Sequence, residues 1–294
     1  KKLLKIKINK KINSIRNNNI FLVGENIVDE FTHVETRGKS QKSNILSTSF
    51  LKKETHTGGV LMVACHLASF FKRINVLLIG QSGGIGSALH KALLDRGGQV
   101  LGLSRSTDGF DITSEISVKD AFATLKPQSF DSVIIASGAL EINGAQPEKS
   151  LSQLTPEAMM DQFKVNTIGP ALVLKHARRV MAKDQRSVFA ALSARVGSIE
   201  DNRLGGWYSY RSAKAALNQM IRCGAIELAR THPKAICVSL HPGTVQTNFT
   251  RKYLGRHPAV APREAAENLL QVLESLTADE SGQFFDWAGK RISW

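Results

Sequence analysis

The chain has 294 residues, 42% hydrophobic and 22% charged, which suits a globular protein with a sizeable core. Its three cysteines, Cys65, Cys223 and Cys237, lack C-x-x-C spacing, and its eight histidines lack H-E-x-x-H spacing. A disulfide framework and a structural metal are therefore both disfavoured, and a reducing compartment fits. The net charge of +14 would suggest nucleic acid, but residues 1–73 hold 14 Lys/Arg against 5 Asp/Glu, and the remaining 221 residues hold 25 against 20. The basicity belongs to the N-terminal quarter, so the main domain is not expected to bind nucleic acid.

The first nineteen residues, KKLLKIKINKKINSIRNNN, are almost all Lys, Ile, Asn and Leu. They read as a targeting segment, as a basic arm for anionic surfaces such as nucleic acid, or as translated upstream sequence with Met62 one candidate start. Val60–Phe71, VLMVACHLASFF, is the most apolar part of this leader. At twelve residues it falls short of the ~20 that span a bilayer, so it reads as an interfacial or packing segment and no membrane span is expected. Residues 1–73 are thus expected to be a basic extension, either disordered or outside the mature protein. The expected location is cytoplasmic, or an organelle matrix if the basic start is a targeting signal.

From Asn75 onward the pattern changes. The short apolar runs NVLLIG, QVLGLS, SVIIAS, SVFAALS and AICVSLHPG alternate with amphipathic stretches at 84–96, 114–126, 156–183, 206–231 and 262–276. Near-continuous apolar runs between helices describe a parallel sheet covered on both faces. The expected fold is a single α/β domain over residues 74–294, a doubly wound, Rossmann-like parallel sheet with helices on both faces.

Two places in this domain carry chemistry. LLIGQSGGIGSAL sets Gly80, Gly84 and Gly86 between the first strand and its helix. Glycines there allow a tight turn and close backbone approach, and the helix start offers free N–H groups to a pyrophosphate. GWYSYRSAK sets Tyr208 and Tyr210 ahead of Lys214 in a predicted helix. Tyr210 and Lys214 are four apart and share a face; Tyr208, six from the lysine, points elsewhere. A cation beside a phenol favours the phenolate, so Lys214 is expected to lower the pKa of Tyr210 and make it an acid/base near neutral pH.

The glycine spacing G-x-x-x-G-x-G resembles the turn of the short-chain dehydrogenase/reductase family. Further motifs follow in the family's order: SVIIASGAL in place of N-N-A-G, KVNTIGP with its asparagine, Tyr210-x-x-x-Lys214, and HPGTVQT. Within the family, LSARVGSIEDNRLGGWYSYRSAKAALNQ looks most like the C-factor-like subgroup.

The resemblance implies hydride transfer between a nicotinamide and a small-molecule carbonyl or alcohol. Tyr210 is then the acid/base, and Lys214 holds the nicotinamide ribose. Asn166 anchors a water that feeds protons to Lys214, unless it merely satisfies a helix irregularity beside Gly169 and Pro170. Trp207 and Tyr208 shape the substrate pocket. Implied cofactor contacts are Gly80, Ser82, Gly84, Ile85 and Gly86 at the turn, Ala136, Ser137 and Gly138 at the next strand end, and Pro242, Gly243, Val245 and Thr247, with Thr247 bonding the carboxamide. Asp111 resembles the family's residue near the adenine. A dimer or tetramer is expected by the same resemblance.

Cofactor choice is read at LSRST. No acid ends that strand to accept the 2′-hydroxyl of NAD; Ser104 and Arg105 instead suit a 2′-phosphate, so NADP is expected, with NAD the alternative. The substrate-binding serine is ambiguous: the family's register falls on Ala194 in ALSARVGSI, leaving Ser193, the favoured residue, or Ser198. The altered N-N-A-G and displaced serine keep open a dinucleotide-binding sensor or scaffold with little catalysis. Arg251, Lys252 and Arg256, in the segment where the family builds its substrate lid, hint at an anionic group, with a solvated loop the favoured reading.

Overall fold

The computed structural model describes residues 26–39, 46–58, 74–254 and 258–294. The chain divides into two units, Lys1–Arg73 and Ile74–Trp294. In the first, β1 (Asn26–Lys39) and β2 (Leu46–Gly58) pair antiparallel from Ile27↔Gly58 to Lys39↔Leu46. The sequence reading placed no strand here. The reason is physical: among the described side chains the large apolar ones, Phe31, Val34, Phe50 and Leu51, are all exposed, so they impose no buried alternating pattern. The readings of residues 1–19, of Val60–Phe71 and of Met62 lie outside the described residues.

The second unit runs β3 (Asn75–Ile79), α1 (Gly84–Asp95), β4 (Gln99–Leu103), α2 (Arg105–Asp108), α3 (Glu115–Thr124) and β5 (Ser132–Ile135). It continues through α4 (Pro156–Phe163), a π turn (Lys164–Ile168), α5 (Gly169–Val180), β6 (Ser187–Leu192), α6 (Tyr208–Ala229), β7 (Ala235–His241), α7 (Pro262–Ser275) and β8 (Phe284–Asp286). The sheet order is β4-β3-β5-β6-β7-β8, and every pairing is parallel. The chain leaves β3 first to one side and then to the other, and ligands bind such sheets at the strand ends beside this switch.

Strands β3, β5, β6 and β7 divide their residues between two cores, which is why their runs read as continuously apolar. Leu77, Ile79, Val133, Ile135, Phe189, Ala191 and Cys237 pack under α3, α5 and α6 with Val118, Phe122, Val173, Leu217 and Ile221. Val76, Leu78, Ile134, Val188, Ala190, Ile236 and Val238 pack under α1 and α7 with Leu89, Leu93, Leu269, Leu270 and Leu273. Each fully buried side chain of this kind contributes ~1.5–3 kcal/mol.

Two departures from the expected elements bear on function. The stretch expected as one helix over 156–183 contains the π turn, whose wider loop carries Asn166 inward. At the end of β4 a single helical turn, α2, folds an acidic side chain back on the strand.

Candidate active site

The ends of β3, β5, β6 and β7 surround one place, and the glycine turn forms its floor. Gly80 has φ +87°, and a Cβ on it would lie 2.7 Å from the Ser137 nitrogen. A Cβ on Gly86 would lie 2.0 Å from the Gly80 carbonyl oxygen, and one on Gly84 2.5 Å from Thr247 Cγ2. Any side chain at these positions would push strand, helix and loop apart. No side chain caps α1, so its first N–H groups face outward beside exposed Ser82 and half-buried Ile85.

The end of β4 is tied into local hydrogen bonds. Ser104 is buried, and its hydroxyl accepts from the Thr107 backbone N–H. Its own N–H donates to Asp108 Oδ2 at 3.0 Å, and Gln81 Nε2 donates to the same carboxylate oxygen at 3.3 Å. Hydrogen bonds from Thr107, then Ser104 and Gln81, hold the Asp108 carboxyl below its usual range. An acid therefore does lie at this strand end, at Asp108, directly after LSRST. Arg105 is exposed beside it. Asp111 Oδ1 accepts from the Thr113 backbone N–H at 2.9 Å and its hydroxyl at 2.8 Å, closing a local turn.

The catalytic candidates converge as the helical spacing required. Tyr210 and Lys214 share a face of α6, both buried, with Lys214 Nζ 5.8 Å from the Tyr210 ring centre. Lys214 Nζ donates to the Leu192 carbonyl at 2.9 Å. A Cβ on Gly138 would sit 3.6 Å from that nitrogen and 3.1 Å from Asn166 Oδ1. The expected lowering of the Tyr210 pKa is not what this geometry gives. Burial dominates both groups, pushing the phenol up and the ammonium down to about 7.

Asn166 is fully buried and clasps one backbone unit. Its Oδ1 accepts from the Ala139 N–H at 3.2 Å, and Nδ2 donates to the Ala139 carbonyl at 2.8 Å and to Gln162 Oε1 at 2.7 Å. Both Nδ2 hydrogens are thus committed, so the expected anchoring of a water from this amide is limited to Oδ1. Tyr208 is only half-buried.

Ser137 Oγ, Ser193 Oγ and His241 Nδ1 are among the buried polar atoms that have no partner among the described residues. Extending the pairings Ile135↔Ala191 and Ala191↔Ser239 by two residues puts the three side by side across β5, β6 and β7. By alternation they share the α6 face of the sheet. Ser198, by contrast, is spent locally: its Oγ accepts from the Asp201 N–H at 3.1 Å. Burial lowers the His241 pKa to about 4, Arg195 adds to this, and Asp286 opposes it.

Beyond β7, Pro242 and Gly243 (φ +77°) turn the chain against Trp287. Val245 is buried, and the Thr247 N–H donates to Thr250 Oγ1 at 3.2 Å. The segment that follows covers Tyr210. Phe249 lies 6.3 Å from the Tyr210 ring, Trp207 6.2 Å, and Tyr253 meets Trp207 at 5.2 Å. Lys252 pairs with Glu141 at 2.6 Å, and the Tyr253 hydroxyl donates to the same carboxylate at 3.0 Å. The charge expected to greet an anion is thus met within the protein at Lys252; Arg256 lies outside the described residues.

A protein-family model described as Enoyl-(Acyl carrier protein) reductase matches residues 104–281. The chain belongs to the short-chain dehydrogenase/reductase family. It is similar to C-signal of Myxococcus xanthus, 33% identical over 138 residues that cover 46% of this chain and 78% of that one. A 1-hydroxy-2-glutathionyl-2-methyl-3-butene dehydrogenase of Rhodococcus sp. (strain AD45) is 29% identical over 233 residues, 74% of this chain and 99% of that one. Among solved structures, an NADPH-bound carbonyl reductase from chicken fatty liver superposes with a TM-score of 0.65 at 24% identity, covering 76% of this chain and 95% of that one.

As a short-chain dehydrogenase/reductase the protein is an NAD(P)-dependent oxidoreductase of carbonyl and alcohol groups. Among the described residues no group of three His, Cys, Asp or Glu side chains could hold a metal ion, and no helix is long and apolar enough to cross a membrane. Sequence reasoning missed Gln81, Asp108, Glu141, Glu148 and His241. Only His241 had a signal, its place directly before the P-G of HPGTVQT.

Proposed function

We propose that this protein reduces a small-molecule carbonyl with NADPH, Tyr210 donating the proton. The observation that carries the reading is the burial of Tyr210 and Lys214 together at the ends of β5 and β6, beside orphaned Ser193 Oγ. The crowded glycines and the uncapped start of α1 fit a dinucleotide. When bound, such a group supplies hydride to the carbonyl carbon.

The protein's own residues do the rest. Tyr210, kept protonated by its buried setting, is set as a donor to a developing alkoxide. Ser193 offers the free hydroxyl that orients the carbonyl oxygen. Lys214, titrating near neutrality, can pass a proton onward from its place beside Leu192. Phe249, Trp207 and Tyr253 keep water from the reacting atoms. Arg105 would attract a 2′-phosphate, and the relatives include an NADPH-bound structure. A second reading, NAD, is favoured by the Asp108 carboxylate.

An NADPH-oxidation screen over aldehydes, ketones and quinones tests the reading. Tyr210→Phe should abolish turnover with NADPH binding intact, and Tyr208→Phe should be mild. Equal losses would overturn the choice of tyrosine, and a silent screen with tight NADPH binding would favour a sensor or scaffold.

A further inference from the structure

The start of α6 is built in an unusual way. Gly205, Gly206 and Trp207 all have left-handed backbones, with φ of 62°, 65° and 51°. Two glycines adopt this freely, but a bulky tryptophan does not, and such strain persists only where surrounding contacts hold it. Trp207 is the N-cap and contributes no capping side chain.

Glu148, from the loop after β5, supplies what is missing. It is 4% exposed. Its backbone carbonyl accepts from the Trp207 N–H at 2.5 Å, and its carboxylate accepts from the Ser209 N–H at 3.3 Å and from the Ser209 hydroxyl. The negative charge also suits the positive end of the helix. On the other side, Arg211 Nε donates to the Gly206 carbonyl at 3.0 Å. The tryptophan so fixed lies edge-on to Tyr210 and to Tyr253.

We infer that Glu148 is a positioning residue for Tyr210: it caps α6 across the loop, holds Trp207 in its strained conformation, and thereby sets the phenol and the wall beside it. This rests on the proposed role of Tyr210. Misplacing a reacting group by ~1 Å can cost on the order of 10²-fold in rate. A glutamine can make the same two bonds, its carbonyl oxygen accepting from the Ser209 N–H and its amide donating to Ser209 Oγ.

The test uses the full chain with Glu148→Ala, Glu148→Gln and Ser209→Ala, read by kcat and KM for NADPH and by the near-ultraviolet circular dichroism of Trp207, isolated with Trp207→Phe. Glu148→Ala keeps the backbone bond to Trp207 but removes both side-chain bonds that cap the turn at Ser209, and should lower kcat about 10- to 100-fold with KM for NADPH unchanged and lose the Trp207 band. Glu148→Gln should restore most of both, and Ser209→Ala, which keeps the N–H bond, should be mild. Wild-type kcat and an unchanged band in Glu148→Ala would overturn the inference, as would a Glu148→Gln no better than alanine. If the wild-type chain turns over no carbonyl, the proposed activity fails separately. The band then decides alone: loss in alanine with retention in glutamine upholds the positioning role, and any other pattern overturns it.

Discussion

At the end of β4, Arg105 and Asp108 set opposite charges beside the proposed cofactor site. The carboxylate is held by Ser104, Thr107 and Gln81, while Arg105 is exposed. Arg105→Ala is therefore expected to weaken NADPH roughly 10-fold in a fluorescence titration and to leave NADH nearly unchanged, since a charge-assisted contact to phosphate is lost. Equal loss for both cofactors would remove Arg105 from the site. For the serines, Ser193→Ala is expected to cost on the order of 10²-fold in kcat and Ser198→Ala little, because only Ser193 Oγ is uncommitted. The reverse order in steady-state rates would move the role to Ser198. Lys214 makes a different prediction. Its folded pKa of about 7 lies below the ordinary 10.5, so below about pH 7 the fold must bury an ammonium that the unfolded chain leaves in water. Lys214→Met should raise the melting temperature most below about pH 7, with the gain fading as pH rises toward 10.5, and activity should fall at every pH. A gain independent of pH would show that packing, not charge, separates the two proteins.

Helix α6 was the most legible element, because a tyrosine and a lysine four apart fix a face, and the structure keeps Tyr210 and Lys214 on it. The strands β3 to β7 were legible for a related reason: their apolar runs are too dense for a half-exposed sheet. What could not be read was any element whose partner is distant in sequence or whose form depends on one extra residue. The π turn is an instance, since nothing in KVNTI distinguishes it from continued helix; it forms where Asn166 meets Ala139, twenty-seven residues away. The role of Glu148 depends on Ser209, sixty-one residues on. Strand β8 spans only Phe284–Asp286, too short to show a pattern, and is fixed by pairing with β7. Asp108 escaped because a cofactor-reading acid was sought on the strand itself, and α2 returns one from beyond it.

All the candidate site residues lie in the unit from Ile74 to Trp294. A chain beginning near Val60 is therefore expected to keep the melting temperature and the activity of the full chain, as thermal melts and the same reductase assay would show. Loss of either would give the N-terminal segment a part in the working protein. The two-sided sheet also has a consequence in time. A ribosome delivers the chain amino end first, and the face under α3, α5 and α6 is covered once residue 229 has emerged. The other face has only α1 until α7 arrives at 262–275, so Ile134, Val188, Ala190, Ile236 and Val238 stay half-clothed until then. Leu269, Leu270 and Leu273 bring most of that cover, and Leu276 and Phe285 follow them. Apolar surface exposed on a growing chain is what holding chaperones recognise, and a nascent chain halted between α6 and α7 would present that sheet face to them.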